Sequence, residues 1–162
     1  MYAAIFILMY ALCLRIGEVV TSGHSLHAIK IRNVSSHLNG YLIKLESFKW
    51  ATTPMMFFLQ PKNNALCPVR ALSDYLRIRK PGDYLFMDES ANLVNRVQVS
   101  KVLAKAIREM GLNPSDYNTH SLRKGRASDM CMNNISKERI GLIGRWHSNA
   151  YKAYFVPDCI TI

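Results

Sequence analysis

Acidic residues are scarce in this sequence. Of its 162 residues 11 are Asp or Glu, against 21 Lys or Arg, and the formal net charge is +10. A surplus of that size in a small chain argues against a cationic partner and points to a polyanion, either nucleic acid or an anionic membrane surface. Long apolar runs are also lacking. The one over residues 2–14 falls well short of the ~20 residues that cross a bilayer and has no basic stretch before it. It reads as a buried helix, and no membrane partner is expected. Paired cysteines are missing: the four stand at 13, 67, 131 and 159 with no C-x-x-C spacing. That favours reduced thiols in an intracellular protein over a disulfide frame. His24 and His27 supply half of a metal site at most, because no second ligand pair sits at a zinc-like spacing. A solvated loop pair is the simpler reading, and no metal is expected. Repeats, low-complexity runs and linker-like stretches are absent, so a single domain over residues 1–162 is expected. Its hydrophobic content of 49% is enough for a core of its own.

What is present falls into helices, a small sheet, then more helices. The spacing predicts a helix over residues 2–13, an interruption at Leu14-Arg15, and a further helical turn over 16–21. A Ser/His-rich loop around Gly23 leads to three strands: one holding Ile29, Ile31 and Val34, one over 41–45 and one over 55–59. Asn39-Gly40 predicts a tight hairpin between the first two, and residues 50–54 a second reversal. After Pro61, Pro68 opens a helix ended by Pro81-Gly82, and residues 84–87 read as extended. A basic amphipathic helix over 97–110 is closed by Gly111. Asn118-Thr119 caps a helix over 120–133, Ser136 caps another over 137–143 that Gly144 breaks, and a short piece over 148–155 is stopped by Pro157. The expected class is mainly α with a small three-stranded antiparallel β-sheet.

Two motifs combine charge with spacing. In His120-Ser121-Leu122-Arg123 a spacing of three sets an imidazole and a guanidinium on one face of a helix start, where free N–H groups and the dipole favour an anion. Alone, the motif is weak, and a surface His with a solvated Arg is the reading it favours. In Leu14-Arg15-Ile16-Gly17-Glu18, an Arg directly follows an apolar run. It is either an ordinary helix-end ion pair or a fork that Glu18 holds in place to donate two hydrogen bonds to one phosphate.

Taken in order, Leu14-Arg15-Ile16-Gly17-Glu18, Ser47-Phe48-Lys49 in a predicted hairpin, Thr119 to Gly125, and Gly144 to Tyr154 closely resemble the catalytic signature of the tyrosine recombinase (phage integrase) family. The last motif looks most like versions carried by eukaryotic mobile elements of the crypton and DIRS-like groups. Cys67-Pro68-Val69-Arg70-Ala71-Leu72 is also a common family stretch. The resemblance implies the catalytic-domain fold of these DNA breaking and rejoining enzymes. It implies that Arg15 and Arg123 clamp the scissile phosphate, with Glu18 supporting, and that Lys49 protonates the departing 5′ oxygen. It further implies His120 as base or proton shuttle and Tyr154, ten residues after Gly144, as nucleophile, with Tyr151 the nearby competitor. At the position that is His or Trp in relatives, Arg145, Trp146 and His147 are adjacent; Trp146 is preferred and His147 is taken as supporting. Phe155-Val156-Pro157 departs from the Ile and basic residue usual after the nucleophile. The family's N-terminal core-binding domain has no counterpart expected in these 162 residues.

The chemistry fits these residue types independently. Two fixed guanidiniums stabilise the charge gathering on a pentacovalent phosphate more than they stabilise the ground state. A phenol with a pKa near ~10 needs a proton acceptor within hydrogen-bond reach. The product is a 3′-phosphotyrosyl DNA with a free 5′ hydroxyl, whose religation requires no nucleotide and no small-molecule cofactor. Residues 119–152 hold Arg123, Lys124, Arg126, Lys137, Arg139, Arg145 and Lys152 against Asp129 and Glu138, a local net charge of +5. Such a surface suits a DNA backbone. Lys101, Lys105 and Arg108 share one helix face, which fits DNA contact and a plain solvated face equally well. The partners implied are double-stranded DNA and, by the resemblance, three further copies in a tetramer on DNA; the location is nuclear if the host is eukaryotic. Two other readings stand beside this one. The first is a non-catalytic, domesticated or truncated DNA-binding remnant of a mobile element. The second is an unrelated basic helical scaffold, which would leave Arg15, Lys49, His120, Arg123 and Tyr154 scattered in space.

Overall fold

Apolar side chains occupy nearly every position of the first helix, so no single stripe faces the core and the helix has to be covered on several sides. In the computed structural model, which describes residues 1–20, 27–48 and 53–146, that helix is α1 (Tyr2–Ala11), packed against two later helices, α3 (Pro68–Ile78) and α5 (Thr119–Met132). Ile5, Leu8 and Met9 are fully enclosed and centre the main core. The chain leaves α1 at Cys13, whose φ of 54° is left-handed, and restarts as the single turn α2 (Ile16–Val19).

The sheet is β1 (Val34–His37), β2 (Gly40–Leu45) and β3 (Met55–Leu59), antiparallel in that order. Register pairs Val34 with Ile43 and Ile43 with Phe57, so Ile43, Leu45 and Leu59 enter the core while Met56 and Phe58 face outward. Two details depart from the sequence reading. Ile29 and Ile31 do not belong to this sheet: the Leu85 and Ile31 amides donate to the carbonyls of Ile29 and Asp83, so the segment pairs with residues after α3, and a 3₁₀ turn precedes β1. At the hairpin His37 pairs with Gly40, which makes Leu38 and Asn39 the turn, with Leu38 at a φ of 50°. Gly40 is needed for another reason. A Cβ there would run into the Leu59 carbonyl of the neighbouring strand.

Local chemistry sets the helix starts. Pro68 fills the first turn of α3. Asn95 and Gln98 exchange side-chain bonds to each other's amides at 3.0 and 2.8 Å to open α4 (Arg96–Glu109). Asn118 Oδ1 accepts from the His120 amide at 2.9 Å, and Ser136 Oγ accepts from Arg139 at the start of α6 (Lys137–Gly144). The helix ends share a device. At α1, α4, α5 and α6 the residue past the end turns left-handed and the next amide bonds back into the last turn, in a Schellman arrangement. Only α4 uses glycine for it, Gly111 at φ 76°. The others use Cys13, Asn134 and Arg145. Gly144, expected to break α6, is instead its last helical residue.

Candidate active site

Left-handed backbone costs a non-glycine residue about 1 kcal/mol, and at two of these helix ends the cost is offset by a shared knot of guanidiniums. The carbonyls at the ends of α1 and α6 lack helical partners. Arg145 donates to Leu12 O at 3.3 Å, to Cys13 O at 2.9 Å and to Ile143 O at 2.9 Å. Arg123 donates to Cys13 O at 2.5 Å and also to Gly144 O. Arg15 donates to the carbonyl of Arg145 at 3.3 Å. Three arginines from distant parts of the chain therefore satisfy two helix C-termini, where the dipoles also favour cations.

Glu18 is the carboxylate among them, and its side chain is 3% exposed. Oε1 accepts from Arg15 Nη1 at 3.1 Å, while Oε2 accepts from the Arg15 amide at 2.8 Å and from Arg145 Nη2 at 2.7 Å. Among the described residues Arg123 has no carboxylate partner. Three guanidiniums round one carboxylate leave a formal excess of two positive charges, which the two helix C-termini, at roughly −0.5 each, offset in part, so the knot still favours an anion beside it. Burial, with Arg15 next in importance, pushes the Arg123 pKa down to about 10, so it remains a cation at neutral pH.

A cleft of about 370 Å³ opens beside the knot, lined by Leu14, Arg15, Ile16, Arg96, Thr119 and His120. The structure thus brings Arg15 and His120, 105 positions apart in sequence, to one opening. Burial lowers the His120 pKa below the ordinary histidine value, and Arg123, Lys124 and Arg15 push it further in the same direction. The imidazole is accordingly neutral near pH 7, the form that accepts a proton. Arg123 does not line the cleft. It is 1% exposed, its guanidinium lies 4.4 Å from the Trp146 ring centroid, and its Nε has no hydrogen-bond partner among the described residues.

The remaining expected residues divide. Arg145, expected among the DNA-facing cations, has a fully buried side chain. Its charge serves Glu18 and backbone carbonyls, because the Schellman turn points it inward. Arg126 is half-buried and lies over the Tyr10 ring at 5.7 Å, so it too faces α1. Lys124 is exposed. Lys105 is exposed and lies 3.8 Å from Glu109, whereas Lys101 lines a groove of about 390 Å³ along α4 with Arg96, Val97, Ser100, Ala104 and Arg108. Lys49, His147, Tyr151, Lys152 and Tyr154 lie outside the described residues.

Arg96 was not among the expected site residues. It lines both openings, the cleft at Arg15 and the groove on α4. The available signal was its place directly after the cap Asn95, the first residue of a basic helix. Among the described residues no group of three His, Cys, Asp or Glu is arranged to hold a metal ion, and no helix is long and apolar enough to cross a membrane.

No protein-family model and no curated protein matches the sequence. Solved structures do match. The XerH site-specific recombinase bound to difH substrate in a pre-cleavage complex superposes with a TM-score of 0.69 at 17% identity, over 95% of this chain and 42% of that one. The XerA recombinase gives 0.65 at 22% identity, over 98% and 53%. The Tn1549 transposon integrase in complex with circular intermediate DNA gives 0.66 at 10% identity, over 94% and 52%. At these identities the likeness is one of fold: the chain has the tyrosine recombinase catalytic-domain fold and spans about half the length of these proteins or less.

Proposed function

We propose that the chain is the catalytic domain of a tyrosine recombinase of the kind carried by eukaryotic mobile elements, breaking and rejoining double-stranded DNA through a 3′-phosphotyrosyl intermediate. The observation that carries the proposal is the knot of Arg15, Arg123 and Arg145 around the single carboxylate of Glu18, opening beside His120 on a fold shared with site-specific recombinases. A phosphodiester carries one negative charge and its pentacovalent state carries more, so a preformed excess of positive charge favours the transition state over the ground state.

In this reading Arg15 meets a non-bridging oxygen from the cleft, its fork held by Glu18. Arg123 supplies the second cation. Neutral His120 takes the phenolic proton as Tyr154 attacks phosphorus, the bond to the 5′ oxygen breaks, and Lys49 protonates that leaving oxygen. Trp146 packs on Arg123 and excludes water from it; His147 and Lys152 lie beside the nucleophile in sequence and supply further contacts to the backbone. Arg96, Lys101 and Lys124 hold the flanking DNA. Assembly is as a tetramer on DNA, in the nucleus of the host.

A pool of nicked duplexes with randomised sequence, which trap cleavage by loss of the short 5′-hydroxyl fragment, tests this on a denaturing gel. The wild-type chain is expected to form a covalent DNA adduct that Tyr154→Phe abolishes and Tyr151→Phe retains. No adduct from the wild-type chain, with salt-sensitive DNA retention intact, would leave the non-catalytic DNA-binding remnant. An adduct persisting in Tyr154→Phe would overturn the choice of nucleophile.

A further inference from the structure

Arg145 has more structural contacts than a helix-end residue needs. Its guanidinium bonds Glu18 at 2.7 Å and the carbonyls of Leu12, Cys13 and Ile143, and lies 5.7 Å from the Phe48 ring centroid and 5.4 Å from that of Phe57. Its own carbonyl accepts from Arg15 Nη2. One side chain thus touches three separate parts of the molecule: the α1 to α2 corner that carries Arg15, the flank of the β2–β3 hairpin, and the end of α6. A buried, left-handed, non-glycine residue persists only where its surroundings over-determine it.

We infer that Arg145 is a positioning residue, which fixes the direction of the Arg15 fork and the distance of the hairpin flank from it without touching DNA itself. It grips Arg15 twice, through Glu18 and through its own carbonyl. Lysine cannot replace it, because a single ammonium has neither the reach nor the planar fork to serve a carboxylate, three carbonyls and two ring faces together. The inference rests on the reading of Arg15 as a phosphate ligand for its consequence in catalysis, but not for its structural content.

The test uses the full chain as wild type, Arg145→Lys and Arg145→Gly, the latter relieving the left-handed backbone while removing the guanidinium. The Nη–H groups of Arg15, which make these bonds, are followed by NMR at low temperature, assigned with Arg15→Lys, and their exchange with solvent is expected to quicken at least tenfold in both variants. On the nicked duplexes, the single-turnover rate of adduct formation is expected to fall about a hundredfold at saturating DNA, the effect of a small misplacement of a reacting group. DNA affinity should stay within about threefold, since Arg145 is buried. Added guanidinium ion should restore part of the Arg145→Gly rate, which a collapsed fold would not allow. Unchanged Arg15 exchange in folded variants, or a rate loss matched by an equal loss of DNA affinity, would overturn the inference. If neither variant folds, Arg145→Gln, which removes the charge and the planar fork but keeps a side-chain amide donor, applies the same comparison. Should the wild-type chain form no adduct, the recombinase reading falls and the Arg15 exchange alone decides the positioning role.

Discussion

Arg123 lies over Trp146, its guanidinium carbon 4.4 Å from the ring centroid, and Gly144 makes room for that ring. Any Cβ at Gly144 would collide with the indole. The pairing closes a cation away from water, where its interaction with the ring is stronger than at an exposed site. Trp146→Ala is expected to lower stability by about 2 kcal/mol, combining a lost cation–π contact with a packing defect. Gly144→Ala should destabilise in the same direction by displacing the ring. Urea unfolding of both variants, followed by circular dichroism, checks this; a change below about 0.5 kcal/mol in Trp146→Ala would show the contact to be incidental.

Arg15 and Arg123, the proposed phosphate clamp, should separate from ordinary DNA-binding cations in kinetics. Arg15→Ala is expected to slow adduct formation by about 10² to 10³, the usual scale for losing one donor to a developing oxyanion, and Arg123→Lys by about 10², the scale of a small misplacement, through the helix ends that its fork holds beside Arg15. Arg123→Lys is the sharper of the two, because it keeps the charge and removes the fork that serves Cys13 and Gly144. Single-turnover rates at saturating DNA measure it. Equal losses in rate and affinity would place these residues in uniform binding instead.

As the proposed base, His120 fixes the sign of the pH dependence. Its pKa is lowered by burial and then by Arg123, Lys124 and Arg15. A base with a lowered pKa keeps its active, unprotonated form to lower pH than a free imidazole does. Adduct formation is therefore expected to be flat from pH 7 up to the range near ~10 in which an ordinary lysine loses its proton, and on the acid side to fall only as pH drops through a value below the ordinary histidine range. His120→Gln should lower the plateau and remove that acid limb. An acid limb that survives the substitution belongs to another group.

Local signals in the sequence were faithful where the chemistry is local. Asn118 and Ser136 cap the helices that their side chains imply, and His120 and Arg123 fall on one helix because a spacing of three puts them there. The legible part of the site was the pairing of Arg15 with Glu18, three residues apart. What failed was non-local. Ile29 and Ile31 alternate like strand residues yet pair with residues 83–85, and no periodicity encodes a partner more than fifty residues away. Arg145 failed for a subtler reason: Gly144 looks like the left-handed terminator of α6, but its lack of a side chain serves Trp146, and the left-handed turn falls one residue later. Charge counting then put a buried cation on the surface.

Tyr75 offers a stability test that leaves the site alone. Its hydroxyl is buried, reaches the carbonyls of Leu85 and Met87 at 3.1 and 3.2 Å, and accepts from the Met87 amide at 2.9 Å, holding the strand-like segment after α3. Tyr75→Phe leaves a buried backbone N–H without its acceptor and is expected to cost about 1 to 3 kcal/mol. Thermal melting should show the loss, with DNA affinity at 20 °C below the melting transition unchanged.

Arg96 decides whether the cleft and the α4 groove form one continuous surface. It lines both, and Lys101 and Arg108 extend the second along the helix. A phosphate backbone threading from the cleft along α4 would have to pass it, releasing one counterion there. Arg96→Ala is then expected to weaken DNA binding at all sequences alike and to reduce the slope of log affinity against log salt by about 1. Lys105→Ala is the matched control, because Lys105 lies within reach of Glu109 and lines neither opening; its slope should stay within error of wild type. Fluorescence anisotropy on labelled duplexes over a range of potassium chloride concentrations measures both. If Arg96→Ala leaves the slope at the wild-type value, as Lys105→Ala is expected to, DNA does not run between the two openings.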